Sequence, residues 1–298
     1  MNAFLRKALL RAPLFILMGL LGLVFAAPLL FMFASSFKHD EAIFSDLSSW
    51  SSYVPDVGWS MANYAAIFER SNLPLFLFNS TLISLAVVLG GILVNSMLAF
   101  SLSRMRWRGR GAVLSVVVAM MIIPFEVIAI PLLSLVARLP WPGIEQGALG
   151  WHLGWHIGWF NSLHVQIIPF LANAFCVFLF YQFFRDIPPE LDEAAKMDGA
   201  GPWALFFRII LPNSRPVIAT AAIVLFIAAW NQYLWPIMVV QGEAARPVQP
   251  GIQQFFGRSN SWGQIMAYAS VVTLPVLAVF LVFQRQFVAS VAGSGIKG

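Results

Sequence analysis

"DIPPELDEAAKMDGAGPWALFFRIILP" runs from Asp186 to Pro212. It holds five of the chain's 13 acidic residues, Asp186, Glu190, Asp192, Glu193 and Asp198, together with Lys196, and long uncharged runs flank it on both sides. Pro188 and Pro189 suit the start of a helix, where a missing N–H leaves nothing unpaired. Glu190, Asp192 and Glu193 then fall in the first turn, where the helix dipole favours acids. Leu191, Ala194, Ala195 and Met197 offer a small, smooth apolar surface. "DGAGP" breaks that helix and "WALFFRIILP" starts an amphipathic one. The pattern predicts a short helix, a Gly turn and a second helix: a knob that docks against a partner through small residues and salt bridges. A helix resting on lipid headgroups fits less well, because anionic lipid repels the acids.

The rest of the chain fixes the solvent. Of 298 residues 59% are hydrophobic and 10% charged, against roughly 25% charged in an ordinary soluble domain. Six runs carry one charge or none, at about 12–34, 75–101, 112–137, 163–184, 216–240 and 263–284. Each reaches the ~20 residues that a helix needs to cross a ~30 Å hydrocarbon core. Barrel strands are shorter and alternate. The expected fold is therefore all-α, a polytopic membrane protein with six transmembrane helices in one domain over 1–298. The loop at about 186–212 carries its extra-membrane helix.

Charge distribution orients the spans. With the N-terminus in the cytoplasm, 13 of the 18 basic residues lie inside and five (Lys38, Arg70, Arg138, Arg246, Arg258) outside. The positive-inside rule then places both termini in the cytoplasm. The net charge of +5 thus lines membrane loops and is no nucleic-acid footprint. In "SRMRWRGRG" it puts Arg104, Arg106, Arg108 and Arg110 on one tight turn, read as a topology anchor or a contact with a cytoplasmic partner. The first run resembles a signal peptide in its basic start and "VFAAP", but it continues through Phe33, longer than a typical signal core.

Polar residues inside the spans suggest a path. Glu126, in "MMIIPFEVIAIP", is the one acid in any span, and a carboxyl at membrane depth faces a cavity or a polar partner. Pro124 and Pro131 flank it, and each frees a carbonyl. Treated as straight helices, spans three, four and five bring Glu126, Asn173, Asn231 and Gln232 to similar depth, a candidate hydrated layer. Bonding between helices is the plainer reading of each amide. In "GALGWHLGWHIGWFNSLH", Gly, Trp and His each recur every four residues, which reads as an interfacial helix with Trp at headgroup level. His152 and His156 have the i, i+4 spacing of a zinc pair on a helix, but no third ligand stands at a recognisable spacing, so no metal is expected. Cys176, the one cysteine, excludes an internal disulfide.

Glu193-Ala194-Ala195, then Gly199, then Ile209, Leu211 and Pro212, match EAA-x3-G-x9-I-x-L-P in full. This motif marks the permease subunits of bacterial ABC importers. "NYAAIF", "FNSTLISL", "FSLSRMRWRGRG", "YQFFRDIPPELDEAAKMDGAG", "WNQYLWP" and "QRQFV" extend the likeness along most of the chain, which resembles the shorter, six-span permease of maltose-transporter-type carbohydrate systems. The 141–162 region departs from the pattern: it is longer than usual and rich in Trp and His. The resemblance implies a coupling helix docked on a cytoplasmic ATPase, with Glu193 pairing with a base there, Asp198 and Gly199 making the turn, and Ile209, Leu211 and Pro212 completing the element. It implies a bacterial inner-membrane assembly with a second permease, two ATPase subunits and an extracytoplasmic substrate-binding protein. The loop at about 241–262 would probe the binding protein through Gln249, Pro250, Gly251 and Gln253. The chain has no Walker loop, so ATP and Mg belong to the partner ATPases, and the chain itself carries no cofactor and is no enzyme.

The expected cargo is a sugar or oligosaccharide, with glycerol-3-phosphate as a second candidate because "PFEV" and "WNQYLWP" also resemble its permeases. A secondary transporter using Glu126 as a proton site would leave the 186–212 segment without a role. A membrane-embedded enzyme would need a nucleophile–base pair or a complete metal set.

Overall fold

The computed structural model describes residues 3–45, 52–53, 59–147, 150–256 and 261–294. Its helices in chain order are α1 (Ala3–Ser35), α2 (Asp40–Ile43), α3 (Ala62–Arg70), α4 (Leu73–Arg104), α5 (Arg110–Met120) and α6 (Phe125–Val136). A two-stranded hairpin follows, β1 (Pro140–Gly147) and β2 (Gly150–Ile157). Then come α7 (His164–Ile167), α8 (Ala174–Asp186), α9 (Glu190–Met197), α10 (Pro202–Ala204), α11 (Leu211–Asn213), α12 (Arg215–Trp230), α13 (Leu234–Val239), α14 (Val248–Gly251) and α15 (Trp262–Ser294). The backbone groups into two compact units, Met1–Leu73 with Ile252–Leu274, and Pro74–Gly251 with Pro275–Gly298.

Among the described residues, three helices are long and apolar enough to cross a membrane alone: Ala12–Ser35, Leu73–Arg104 and Trp262–Gln284. Three further pairs meet that test only together, bent at a short break. Counting each pair as one span gives up to six. The 110–136 pair bends by 109°. Its break ends at Pro124, which sits extended as the N-cap of α6 and lacks the N–H that would continue α5. Pro131 stays inside α6. The expected span at 216–240 is α12 followed by α13, interrupted at Asn231–Tyr233. Ahead of α12, the 202–213 helix turns 81° into it, so the amphipathic helix read in "WALFFRIILP" lies across the direction of its span.

The region 141–162 overturns an expectation. Its described residues 141–147 and 150–157 belong to an antiparallel hairpin, with Pro140 opposite Ile157 and Glu145 opposite His152, in place of the expected interfacial helix. Within each four-residue repeat the sequence alternates Trp151-His152-Leu153-Gly154-Trp155-His156-Ile157, the period-2 pattern of a strand. Four residues of strand span about 13 Å, so the backbone from 150 to 157 does not give His152 and His156 the i, i+4 helical spacing of a zinc pair. At the hairpin's base Trp141 stacks on His164 at 3.8 Å between centroids, and Trp159 meets both edge-on.

In the first unit, α3 is held to the end of α1. Asn63 donates to the Ser36 and Lys38 carbonyls, and the Ser36 and Tyr64 hydroxyls bond. Asp40 accepts from the Gly263 N–H. In the second, one apolar cluster runs through α4, α8, α9, the 205–210 turn and α12, with Phe100, Phe180, Phe184, Ala195, Phe206, Ala221 and Leu225 all buried. Buried amides tie its breaks. Asn95 donates to the Gly91 and Leu171 carbonyls and accepts from the Asn173 N–H at 2.8 Å, which holds the gap before α8. Asn79 donates to the Ala244 and Arg246 carbonyls.

Candidate functional site: the α9 knob and the polar residues of the spans

Between Asp186 and Pro212 the backbone follows the pattern read in the sequence. Glu190, Asp192 and Glu193 occupy the first turn of α9, and Lys196 the last. Asp198 is the C-cap, and Gly199 follows with φ +78°. The Gly199 N–H donates to the Lys196 carbonyl and the Ala200 N–H to the Ala195 carbonyl. These two bonds make a Schellman turn, which needs a residue in the left-handed region at the Gly199 position. Among the described residues nothing lies within 4 Å of a Cβ placed there, so the turn asks for glycine on backbone grounds. Beyond it Leu205–Ile210 is wound as π-helix. Such widened turns recur at functional sites.

The motif residues divide by exposure. Ala195 is buried in the apolar cluster, and Ile209 and Leu211 pack against it. Glu193, Ala194, Asp198, Gly199 and Pro212 are exposed. Glu193, Ala194, Asp198 and Gly199, with Leu191, 42% exposed, and Met197, 87% exposed, lie together on α9 and the turn that ends it.

Asp192 points the other way. Its Oδ2 accepts from Arg104 Nη1 at 3.1 Å, with side chains only 10% and 8% exposed. Arg104 Nη2 donates to the carbonyls of Phe184 and Ile187, at the end of α8. A cation belongs at a helix C-terminus, and the planar fork of arginine serves several acceptors at once. Arg104, read as a topology anchor, is thus the residue that joins α4, α8 and α9. Removing one partner of such a buried pair costs about 3–5 kcal/mol. Beside it lies an open cleft of about 790 Å³, bounded by Arg104, Arg106 and Trp107 on one side and Asp192, Glu193 and Lys196 on the other.

Among the polar residues read in the spans, the structure brings Asn173 and Gln232 to one cavity. Glu126 is exposed in the first turn of α6, immediately after the 109° bend, where the helix dipole favours it. The bends remove the straight-axis rise on which equal depth rested. Asn173 caps α8, accepting from the Cys176 N–H at 3.0 Å, and with Gln232, Ser80, Gln166 and Trp235 it lines a cavity of about 60 Å³. Ligand pockets run to about 300–1,000 Å³, so that cavity alone holds no sugar. Asn231 is exposed and accepts from Gln249 Nε2 at 3.1 Å. Of the outer-loop residues, Gln253 is exposed, Gln249 half-buried, and Pro250 and Gly251 buried.

Comparison with known proteins agrees with this architecture. A family described as "Binding-protein-dependent transport system inner membrane component" matches residues 88–293, a stretch that includes α9 and every broken span. The chain is 31% identical over 233 residues to the lactose transport system permease protein LacG of Rhizobium radiobacter, covering 78% of this chain and 79% of that one. It is 32% identical over 223 residues to the sn-glycerol-3-phosphate transport system permease protein UgpE of Pectobacterium atrosepticum, covering 74% and 73%. A solved bacterial ABC transporter involved in the import of the acidic polysaccharide alginate has a chain of the same fold, with TM-score 0.74 at 19% identity over 94% of this chain and 97% of that one. The chain therefore belongs to the binding-protein-dependent inner-membrane components, the membrane-spanning permease subunits of ABC importers.

Proposed function

We propose that this chain forms half of a translocation path for a sugar or oligosaccharide, with a second permease completing it. Its α9 docks on a cytoplasmic ATPase subunit. The observation that carries the docking is the split of α9 into a buried side, Asp192 and Ala195, and an exposed side of Leu191, Glu193, Ala194 and Met197. The buried side ties the helix to the spans, and the exposed side is free to enter a cleft. Both termini and the 104–110 turn lie in the cytoplasm, in keeping with the excess of basic residues there. Two ATPase subunits bind ATP and Mg and carry out the hydrolysis, so this chain catalyses no reaction. On the opposite face a substrate-binding protein delivers the cargo against the loop that includes Gln249 and Gln253. Of the four residues read there, Pro250 and Gly251 are buried and offer the partner little surface.

The carbohydrate reading draws on the relative named for lactose transport. A second reading, a polyol phosphate, draws on the relative named for sn-glycerol-3-phosphate. Glu126 leans against it, because an exposed carboxylate in a path repels a phosphate dianion and accepts from sugar hydroxyls. Uptake of labelled disaccharides and of labelled glycerol-3-phosphate, in cells carrying both permeases and the binding protein, tests both readings. Disaccharide uptake that appears only when the ATPase gene is present is the expected result. Uptake without the ATPase returns the secondary transporter, and uptake of glycerol-3-phosphate alone returns the second cargo.

A further inference from the structure

We propose that Arg104 is the positioning residue through which movement of α9 reaches the ends of two spans, with Asp192 as its handle on the helix. The proposal rests on the importer reading and names the tie that the reading needs. Helical geometry is broken on both flanks of α9, at the extended Ile187 before it and at Gly199 after it. The cleft of about 790 Å³ leaves one side of it unpacked. A short helix on two bends, beside open space, tilts without moving anything else unless something grips its middle. One guanidinium does so, holding the α9 carboxylate at 3.1 Å and the last carbonyls of α8 while itself ending α4.

The chemistry argues for geometry over stability. A buried ion pair is often no more stabilising than well-packed apolar residues in its place, and here it is incompletely paired. Arg104 Nε and Asp192 Oδ1 are both buried without a hydrogen-bond partner among the described residues. Ala195 already supplies an apolar anchor in the cluster. What the pair adds is direction: the planar fork fixes the orientation of α9 against α4 and α8, which a lysine ammonium, a compact point charge, does not do.

The test uses the assembled transporter, both permeases with their ATPase subunits, in proteoliposomes. Asn231→Cys in a Cys176→Ala background reports motion in the spans through its rate of reaction with a small water-soluble maleimide, with and without MgATP. Asp192→Asn keeps the shape of the side chain and removes the charge; Arg104→Lys keeps the charge and removes the fork. Both are expected to retain ATPase subunits on purification and to reduce the ATP-dependent change in labelling by about tenfold, within the usual range of coupling between sites. Glu193→Lys, on the exposed side, is expected instead to lose the ATPase subunits. An unchanged ATP response in both Asp192→Asn and Arg104→Lys overturns the proposal. So does loss of the ATPase subunits in both, which would make the pair a support for the docking surface only. If the parent Asn231→Cys transporter binds ATPase subunits but shows no ATP response, the coupled-importer reading itself fails, and the proposal with it.

Discussion

At the scale of single residues, Gly199 and Arg104 show two kinds of requirement. Gly199 is needed for its backbone, since φ is +78° and the space around it is open. Leaving glycine there costs about 1–2 kcal/mol for most side chains, while asparagine visits that region readily. Gly199→Asn should therefore keep most of the uptake rate and Gly199→Val should lose it, at equal amounts of permease in the membrane. Equal loss in both would mean that a partner surface, and not the turn, excludes a side chain. The glycine was legible because turn chemistry is local: "DGAGP" and the EAA spacing lie within a few residues of each other. Arg104 was not, because its partner Asp192 is 88 positions away. A cation at the end of an apolar run looks the same whether it faces water or a buried carboxylate.

At the scale of elements, the apolar runs gave the spans and missed their shapes. A proline marks where an N–H is absent, but neighbouring packing sets the angle, so Pro124 foretold a break and not a bend of 109°. The hairpin at 140–157 escaped for a different reason. A four-residue repeat places like residues on one face of a strand as well as near one another on a helix, and only the alternation inside each repeat separates the two. The outer loop shows how burial refines a reading from composition. Pro250 and Gly251 are buried, whereas Gln253 and Gln254 are exposed. Replacing the whole stretch would remove support together with surface. Gln253→Ala with Gln254→Ala should instead lower the stimulation of ATP hydrolysis by the binding protein; stimulation equal to the parent's would remove these side chains from the contact.

At the scale of the whole molecule, the sequence separated two faces by charge and placed a docking helix on one of them. The aqueous path was less legible, because depth counted along straight helices does not survive three bent pairs, and because in the proposed assembly a partner chain closes the path. What the reading requires above all is that the exposed side of α9 meets an ATP-hydrolysing subunit and that the hairpin does not. Met197, 87% exposed on α9, and Trp155, 73% exposed on β2, sample the two surfaces. A photoreactive amino acid at each position in turn, in the assembled transporter, measures which subunit is captured. An adduct with the ATPase subunit from position 197 and none from position 155 is the expected result. ATPase capture from 155, or none from 197 in a transporter that still hydrolyses ATP, would contradict the assignment of α9 as the docking helix.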